Sequence, residues 1–225
     1  MRNKLTLTAG ILALAIAILG CGKSTTTPAT SNSNAAKPTA AASPAQKAEP
    51  PKPKTELTSS QKPEGAKAKA VESSKKVPVP ANWIYIYDSK KQYGFYVPEG
   101  TKGDSDTVEG VNVFVAQTAP PSEVGIFVLA YRDKTLTKDD LLDDAVKFLE
   151  GMGEKVQVGT LTDQGDDYAL ADATTVGEDG KKGKCRILVG TDVNDNYVMI
   201  LGADESKFDA NKDIIDAIWG SFEMW

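Results

Sequence analysis

The chain carries two cysteines, Cys21 and Cys185, and no histidine. Lack of imidazole removes Ser-His and Cys-His nucleophilic pairs, the usual general base near neutral pH and the commonest zinc ligand. Cys185 stands in Gly183-Lys184-Cys185-Arg186-Ile187-Leu188-Val189, where strand alternation puts it on the side of Ile187 and Val189. That predicts a small buried core residue. Lys184 and Arg186 would lower its pKa only if the thiol were exposed. Ser59-Ser60-Gln61-Lys62 and Ser73-Ser74-Lys75-Lys76 both have the spacing in which a lysine can activate a serine. Both lie in a polar, Pro-rich stretch with no core to hold them, so they read as chance.

Oxygen-rich turns are the next candidates. Asp192-Val193-Asn194-Asp195-Asn196 matches the first, third and fifth ligand positions of a calcium loop. Tyr197 stands where glycine is needed, however, and Ala203 where the closing glutamate should be, so a hairpin turn is expected. Asp163, Asp166 and Asp167 form a second such turn without fixed ligand spacing. No metal, cofactor or catalytic residue is assigned from these patterns. Paired carboxylates for glycoside hydrolysis need a particular pair, and none is picked out.

Two surfaces could bind without reacting. Asp139, Asp140, Asp143 and Asp144 cluster at the start of a predicted helix, where they favour the macrodipole and solubilise its outer face. The same face could dock a basic partner. Trp83, Tyr85 and Tyr87 share one side of a predicted strand, with Ile84 and Ile86 on the other. Apolar character on both sides implies cover on both sides, and any open part of the stripe would suit a peptide or apolar ligand.

These residues need a scaffold, and periodicity supplies one. Aromatic and β-branched runs at 83–87 and 93–97 read as a hairpin, and 111–116 with 125–131 as a second strand pair. Thr137-Lys138-Asp139-Asp140 has the form of a capping box, followed by Leu141, Leu142, Ala145, Val146, Phe148, Leu149 and Met152 at helical spacing before Gly153. Strands follow at 155–161, 168–176, 183–190 and 197–202, and a last helix from near Ser206 carries Ile214, Ile215, Ile218 and Trp219. The expected fold class is α+β, a central antiparallel sheet with helices packed on it. With no second cysteine in this domain there is no internal disulfide to staple it.

Residues 81–225 are thus expected to form one domain. Their fourteen Lys and Arg against twenty-seven Asp and Glu leave it thirteen units negative, although the whole chain is only −5. Nucleic acid is a poor partner for such a globule, whereas a basic protein or a cation fits. Residues 22–80 differ sharply: nine of the twelve prolines, ten lysines against four glutamates, and no run of large apolar residues. Such a segment cannot bury enough apolar surface to offset its ordering entropy, so 21–80 reads as a disordered tether reaching on the order of 45 Å. Its positive charge could bring it loosely to an anionic surface, with solubility the simpler role.

The first twenty residues explain what the tether would hold. Arg2 and Lys4 precede an apolar run from Leu5 to Leu19, too short to span a bilayer but right for a signal peptide. Ile18-Leu19-Gly20-Cys21 resembles the lipobox of bacterial lipoproteins. The resemblance implies cleavage before Cys21 and acylation of its thiol, with palmitate-like chains giving stable membrane anchoring. The expected location is the cell envelope, extracytoplasmic. Gly22 resembles the outer-membrane sorting pattern of diderm bacteria.

The domain itself resembles the PsbP-like superfamily, which includes the Ran-binding Mog proteins and lipid-anchored members such as the LpqN lipoproteins. The resemblance rests on Tyr87-Asp88 leading to Gly94-Phe95-Tyr96-Val97-Pro98-Glu99-Gly100, on the helix Asp140 to Leu149, and on Ile214-Ile215-Asp216-Ala217-Ile218 with Ser221-Phe222. It implies an α/β/α sandwich and a non-enzymatic accessory role, binding a protein complex or regulatory partner at a membrane. It transfers no site. A small-ligand carrier or sensor is the alternative, and that reading requires an enclosed apolar pocket between sheet and helix.

Overall fold

The computed structural model describes residues 55–63, 69–70, 77–90, 93–108, 110–132, 135–165, 167–191 and 195–224. The segment read as a signal peptide, Cys21 and much of the segment read as a tether lie outside these residues.

Alternation along the strands builds the centre. Strands β4 (Lys102–Val108), β5 (Val111–Gln117), β6 (Gly125–Arg132), β7 (Lys155–Val158), β8 (Thr162–Asp163), β9 (Tyr168–Val176), β10 (Lys182–Thr191) and β11 (Asp195–Asp204) make one antiparallel sheet. Its order is β4-β5-β6-β11-β10-β9-β7, with β8 also paired to β9. Val113, Val115, Leu129, Ile187, Val189, Val198 and Ile200 point to one face, and Phe114, Val128, Leu188, Met199 and Leu201 to the other. Strands buried on both faces read as near-continuous apolar runs, which is why 125–131 and 197–202 stand out in the sequence.

Helix α1 (Lys138–Gly151) covers the first face with Leu141, Ala145, Phe148 and Leu149. The capping box forms as expected: the Asp140 amide donates to Thr137 Oγ1 at 3.1 Å, and the Thr137 amide to Asp140 Oδ2 at 3.0 Å. Gly153, at φ +88°, turns the chain out of the helix, a backbone region open to glycine at little cost.

The second face carries a smaller sheet, ordered β1 (Lys69–Ala70), β12 (Glu223–Met224), β3 (Tyr93–Val97) and β2 (Ile84–Asp88), all antiparallel. Beside it lies α3 (Lys212–Gly220), whose Ile215, Ile218 and Trp219 enter the same core. The predicted hairpin is therefore real but belongs to a separate sheet. An aromatic cluster joins the layers: Tyr93 meets Tyr197 edge-on at 5.8 Å and Phe222 at 5.9 Å, while Phe95 meets Phe114 at 5.8 Å. Such pairs contribute about 0.5–1.5 kcal/mol each beyond area burial. The last helix is not continuous. Asp204 caps a short α2 (Glu205–Phe208) by accepting from the Ser206 amide at 2.9 Å, and a 3-10 turn at Asp209–Asn211 separates it from α3.

Residues 55–63 change the domain boundary expected at Ala81. The Leu57 amide donates to Thr101 O at 3.0 Å and the Gly103 amide to Thr55 O at 2.9 Å, fastening the segment to the outer strand β4. Further along, the Ser60 amide donates to Tyr85 O and the Tyr85 amide to Ser59 Oγ at 3.3 Å, fastening it to the outer strand β2. Leu57 packs against the core between the sheets. The segment therefore covers two open sheet edges, and composition alone misplaces it because main-chain pairing leaves no side-chain signature.

Candidate functional site

The residues expected to offer a partner surface do not form one patch. Asp139 and Asp143 are exposed on α1, which covers one face of the large sheet, whereas Trp83, Tyr85 and Tyr87 belong to the layer over the other face. Asp144 is engaged: it accepts from the Tyr131 hydroxyl and pairs with Lys147 at 3.3 Å.

The aromatic stripe is divided in turn. Trp83 packs half-buried against the core between the sheets. Tyr85 is 4 % exposed. Its hydroxyl donates to Glu223 Oε2 at 3.2 Å, its ring lies 4.8 Å from that of Tyr96, and Lys62 sits 5.6 Å over it while pairing with Glu223 at 2.8 Å. Burial, with the Glu223 charge beside it, pushes the Tyr85 phenol well above its ordinary range. A Cβ at Gly94 would lie 2.2 Å from the Tyr85 oxygen, so glycine at this position keeps space for the closed arrangement. Tyr87, half-buried like Trp83, lines an open space.

That space is a cleft of about 530 Å³ between the end of the β2–β3 hairpin and strands β4 and β5. Tyr87, Tyr93 and Phe114 supply apolar wall, while Asp88, Ser89, Ser105, Asp106, Thr107 and Asn112 supply polar groups. Asn112 lies on the inter-sheet side of β5, in the row that continues with Phe114 and Ala116, and pairs with Thr107 and Ala130 across the strands. It is 7 % exposed, and its Oδ1 is buried without a hydrogen-bond partner. An unpaired buried acceptor costs about 1–3 kcal/mol. Sequence reading missed Asn112, although an amide inside Val-Asn-Val-Phe-Val is the signal that could have found it.

The cation turns resolve differently. Asp163 accepts from Lys138 Nζ at 2.8 Å, and the same ammonium reaches Gly165 O at 3.1 Å and Tyr168 O at 3.2 Å. The cation held at this turn is a lysine of the chain itself. Asp166, Asp192 and Asn194 lie outside the described residues, and Asn196 is buried in β11. Among the described residues no three Asp, Glu or Cys side chains converge as a metal site.

Cys185 is buried on the α1 side of β10, with Ile187 and Val189 as alternation predicts. Burial, with Asp172 and Glu154 nearby, pushes its thiol up to about 12. It lines a narrow slot between α1 and the sheet, floored by Gly125, Gly183 and Gly202 and walled by Phe127, Leu149 and Met152. The slot measures about 50 Å³. Glu154 also lines it; burial raises its carboxyl, against a hydrogen bond from Thr175 that lowers it.

No family model matches the chain. No curated protein matches it either. Among solved structures, the solution structure of cyanobacterial PsbP (CyanoP) from Synechocystis superposes with a TM-score of 0.51 and 19 % identity, over 68 % of this chain and 98 % of that one. A protein from Bacteroides thetaiotaomicron gives a TM-score of 0.41 and 13 % identity, over 63 % of this chain and 48 % of its own. With its central antiparallel sheet, α1 on one face and α3 on the other, the domain has the PsbP-like α+β fold.

Proposed function

We propose that the chain is a lipid-anchored envelope protein displaying a non-enzymatic protein-binding or assembly domain outside the cytoplasm. The observation that carries this reading is charge: residues 81–225 hold thirteen more acidic than basic side chains, with Asp139 and Asp143 exposed on α1. Such a surface raises the encounter rate with a basic partner. The PsbP-like fold and the lipobox-like Ile18-Leu19-Gly20-Cys21 support the role and the address. Membrane fractionation and intact mass of the wild type beside Cys21→Ser test the anchor: the wild type should sediment with membranes and carry an acyl increment, and the variant should do neither. Two soluble, unmodified proteins would remove it.

The carrier reading loses support from cavity size. The slot between α1 and the sheet, at about 50 Å³, is a third of an engineered cavity of about 150 Å³ that admits benzene. Tyr85, at the centre of the aromatic stripe, is covered by Lys62, Glu223 and Tyr96.

A further inference from the structure

We propose that the groove filled by residues 55–63 is a docking site for an extended peptide of a protein partner, one that carries a leucine-sized side chain and, five residues later, a lysine or arginine. The chain's own segment occupies this groove in cis and must leave before the partner enters. This deepens the protein-binding reading and rests on it.

The segment shows what the groove accepts. Most of its hold is main chain: the Leu57 amide donates to Thr101 O, the Gly103 amide to Thr55 O and the Ser60 amide to Tyr85 O, with Glu56 bridged antiparallel to Lys102. Bonds of this kind give a strand affinity for a sheet edge whatever its sequence, and side-chain pockets then select. One pocket takes Leu57 over Gly103 and Ala116. A Cβ at residue 103 would lie 3.1 Å from Leu57 Cδ1 and 3.0 Å from Ala116 Cβ, so glycine leaves the room that leucine fills. The other pocket takes Lys62, which pairs with Glu223 at 2.8 Å and lies 5.6 Å over the Tyr85 ring. Ser59-Ser60-Gln61-Lys62 is therefore a docking sequence rather than a chance spacing: Ser59 Oγ accepts from the Tyr85 amide at 3.3 Å on the way to the Lys62 contact.

Glu223 carries the argument from the chain's own segment to a partner's. Its side chain is 16 % exposed, and the Tyr85 hydroxyl donates to it at 3.2 Å, an arrangement built without Lys62. A largely buried carboxylate that has lost its cation is costly, so the emptied groove selects a positively charged replacement and repels an acidic one. The segment in cis is lightly seated. Thr55, Glu56, Thr58, Ser59, Gln61 and Lys62 are exposed, and Leu57 is its one large apolar side chain, so little buried apolar area opposes release. While seated it lowers the partner's apparent affinity in proportion to the fraction of molecules left open.

The test uses the full-length Cys21→Ser chain and two opened forms of it, Leu57→Asp and Ser60→Pro, the second lacking the amide that donates to Tyr85. Each is titrated with the capped peptide Thr-Glu-Leu-Thr-Ser-Ser-Gln-Lys-Pro and followed by NMR. Both opened chains should bind the peptide at least tenfold more tightly than the parent, with shifts at the Thr101, Gly103 and Tyr85 amides. Glutamine in place of the peptide's lysine, or Glu223→Gln in the chain, should weaken binding at least tenfold. Ser60→Pro keeps the test valid if Leu57→Asp fails to fold. No binding by a folded opened chain, equal affinity of opened and parent chains, or indifference to the peptide's lysine would overturn the proposal. Shifts confined to Asp139 and Asp143 on α1 would overturn the groove and keep the protein-binding reading. A parent chain whose mass doubles with concentration, and no longer does so with Leu57→Asp, would make a second copy the occupant and overturn the partner.

Discussion

At Cys185 and Asp216, burial pushes both groups up, and the neighbours decide whether it prevails. The Cys185 thiol lies among apolar groups, with Asp172 and Glu154 opposing its ionisation, and ends near 12. At pH 8 only about one thiol in ten thousand would then be ionised, so Ellman's reagent should leave the native protein unlabelled and react once urea unfolds it. Rapid native labelling would place the thiol elsewhere. For Asp216 burial is outweighed by hydrogen bonds from Lys212 and the Trp219 indole and by the charge of Arg186, which also pairs with Asp172 at 2.9 Å, and the carboxyl falls below its ordinary range. A depressed carboxylate stabilises the fold above its unfolded value, near 3.9, and that contribution is lost as pH falls through the folded value. Asp216→Asn should therefore cost about 1–2 kcal/mol at pH 7 and much less at pH 2, read from urea denaturation at both. Of these residues the sequence placed Cys185 correctly, since alternation is local. It gave no sign that Asp216 would meet Arg186, because that pair spans a helix and a strand far apart in the chain.

Elements were legible where their own side chains encode them. Helix α1 announces itself by its capping box and apolar spacing, and β6, β10 and β11 by apolar runs. Strand β4 was missed because Lys102-Gly103-Asp104-Ser105-Asp106-Thr107-Val108 shows no alternation; it is a strand because β5 pairs with it, and its charges suit an outer position. Residues 55–63 were missed for a related reason: one leucine among polar residues is a weak sign, and the docking comes mostly from main-chain groups. Chains beginning at Thr55 and at Val77 should separate the two boundaries. The shorter chain loses Leu57 burial, the bonds to Thr101, Gly103 and Tyr85, the Lys62–Glu223 pair and β1, at least about 2 kcal/mol, which corresponds to a melting temperature lower by about 5 °C or more. Equal melting temperatures would return residues 55–63 to the tether.

At the scale of the whole molecule, the layers explain why the two sequence-predicted surfaces are independent: the acidic helix and the aromatic strand cover opposite faces of one sheet. Composition could supply the sign of the globule's charge but not this separation, which depends on the β2–β3 hairpin leaving the central sheet for a second one. The cleft lies at that junction, and only packing of the two sheets creates it. Residues 55–63 also bridge the sheets, and this has a mechanical consequence. A pull arriving from the N-terminal side loads the bonds at Gly103, Thr101 and Tyr85 before any buried strand carries force. Giving way there, then at the Lys62–Glu223 pair and the β1–β12 pairing, would free a stretch from 55 to 83 whose extended length is roughly 100 Å, so a domain pulled from its N-terminal side would lengthen before its central sheet lost a strand.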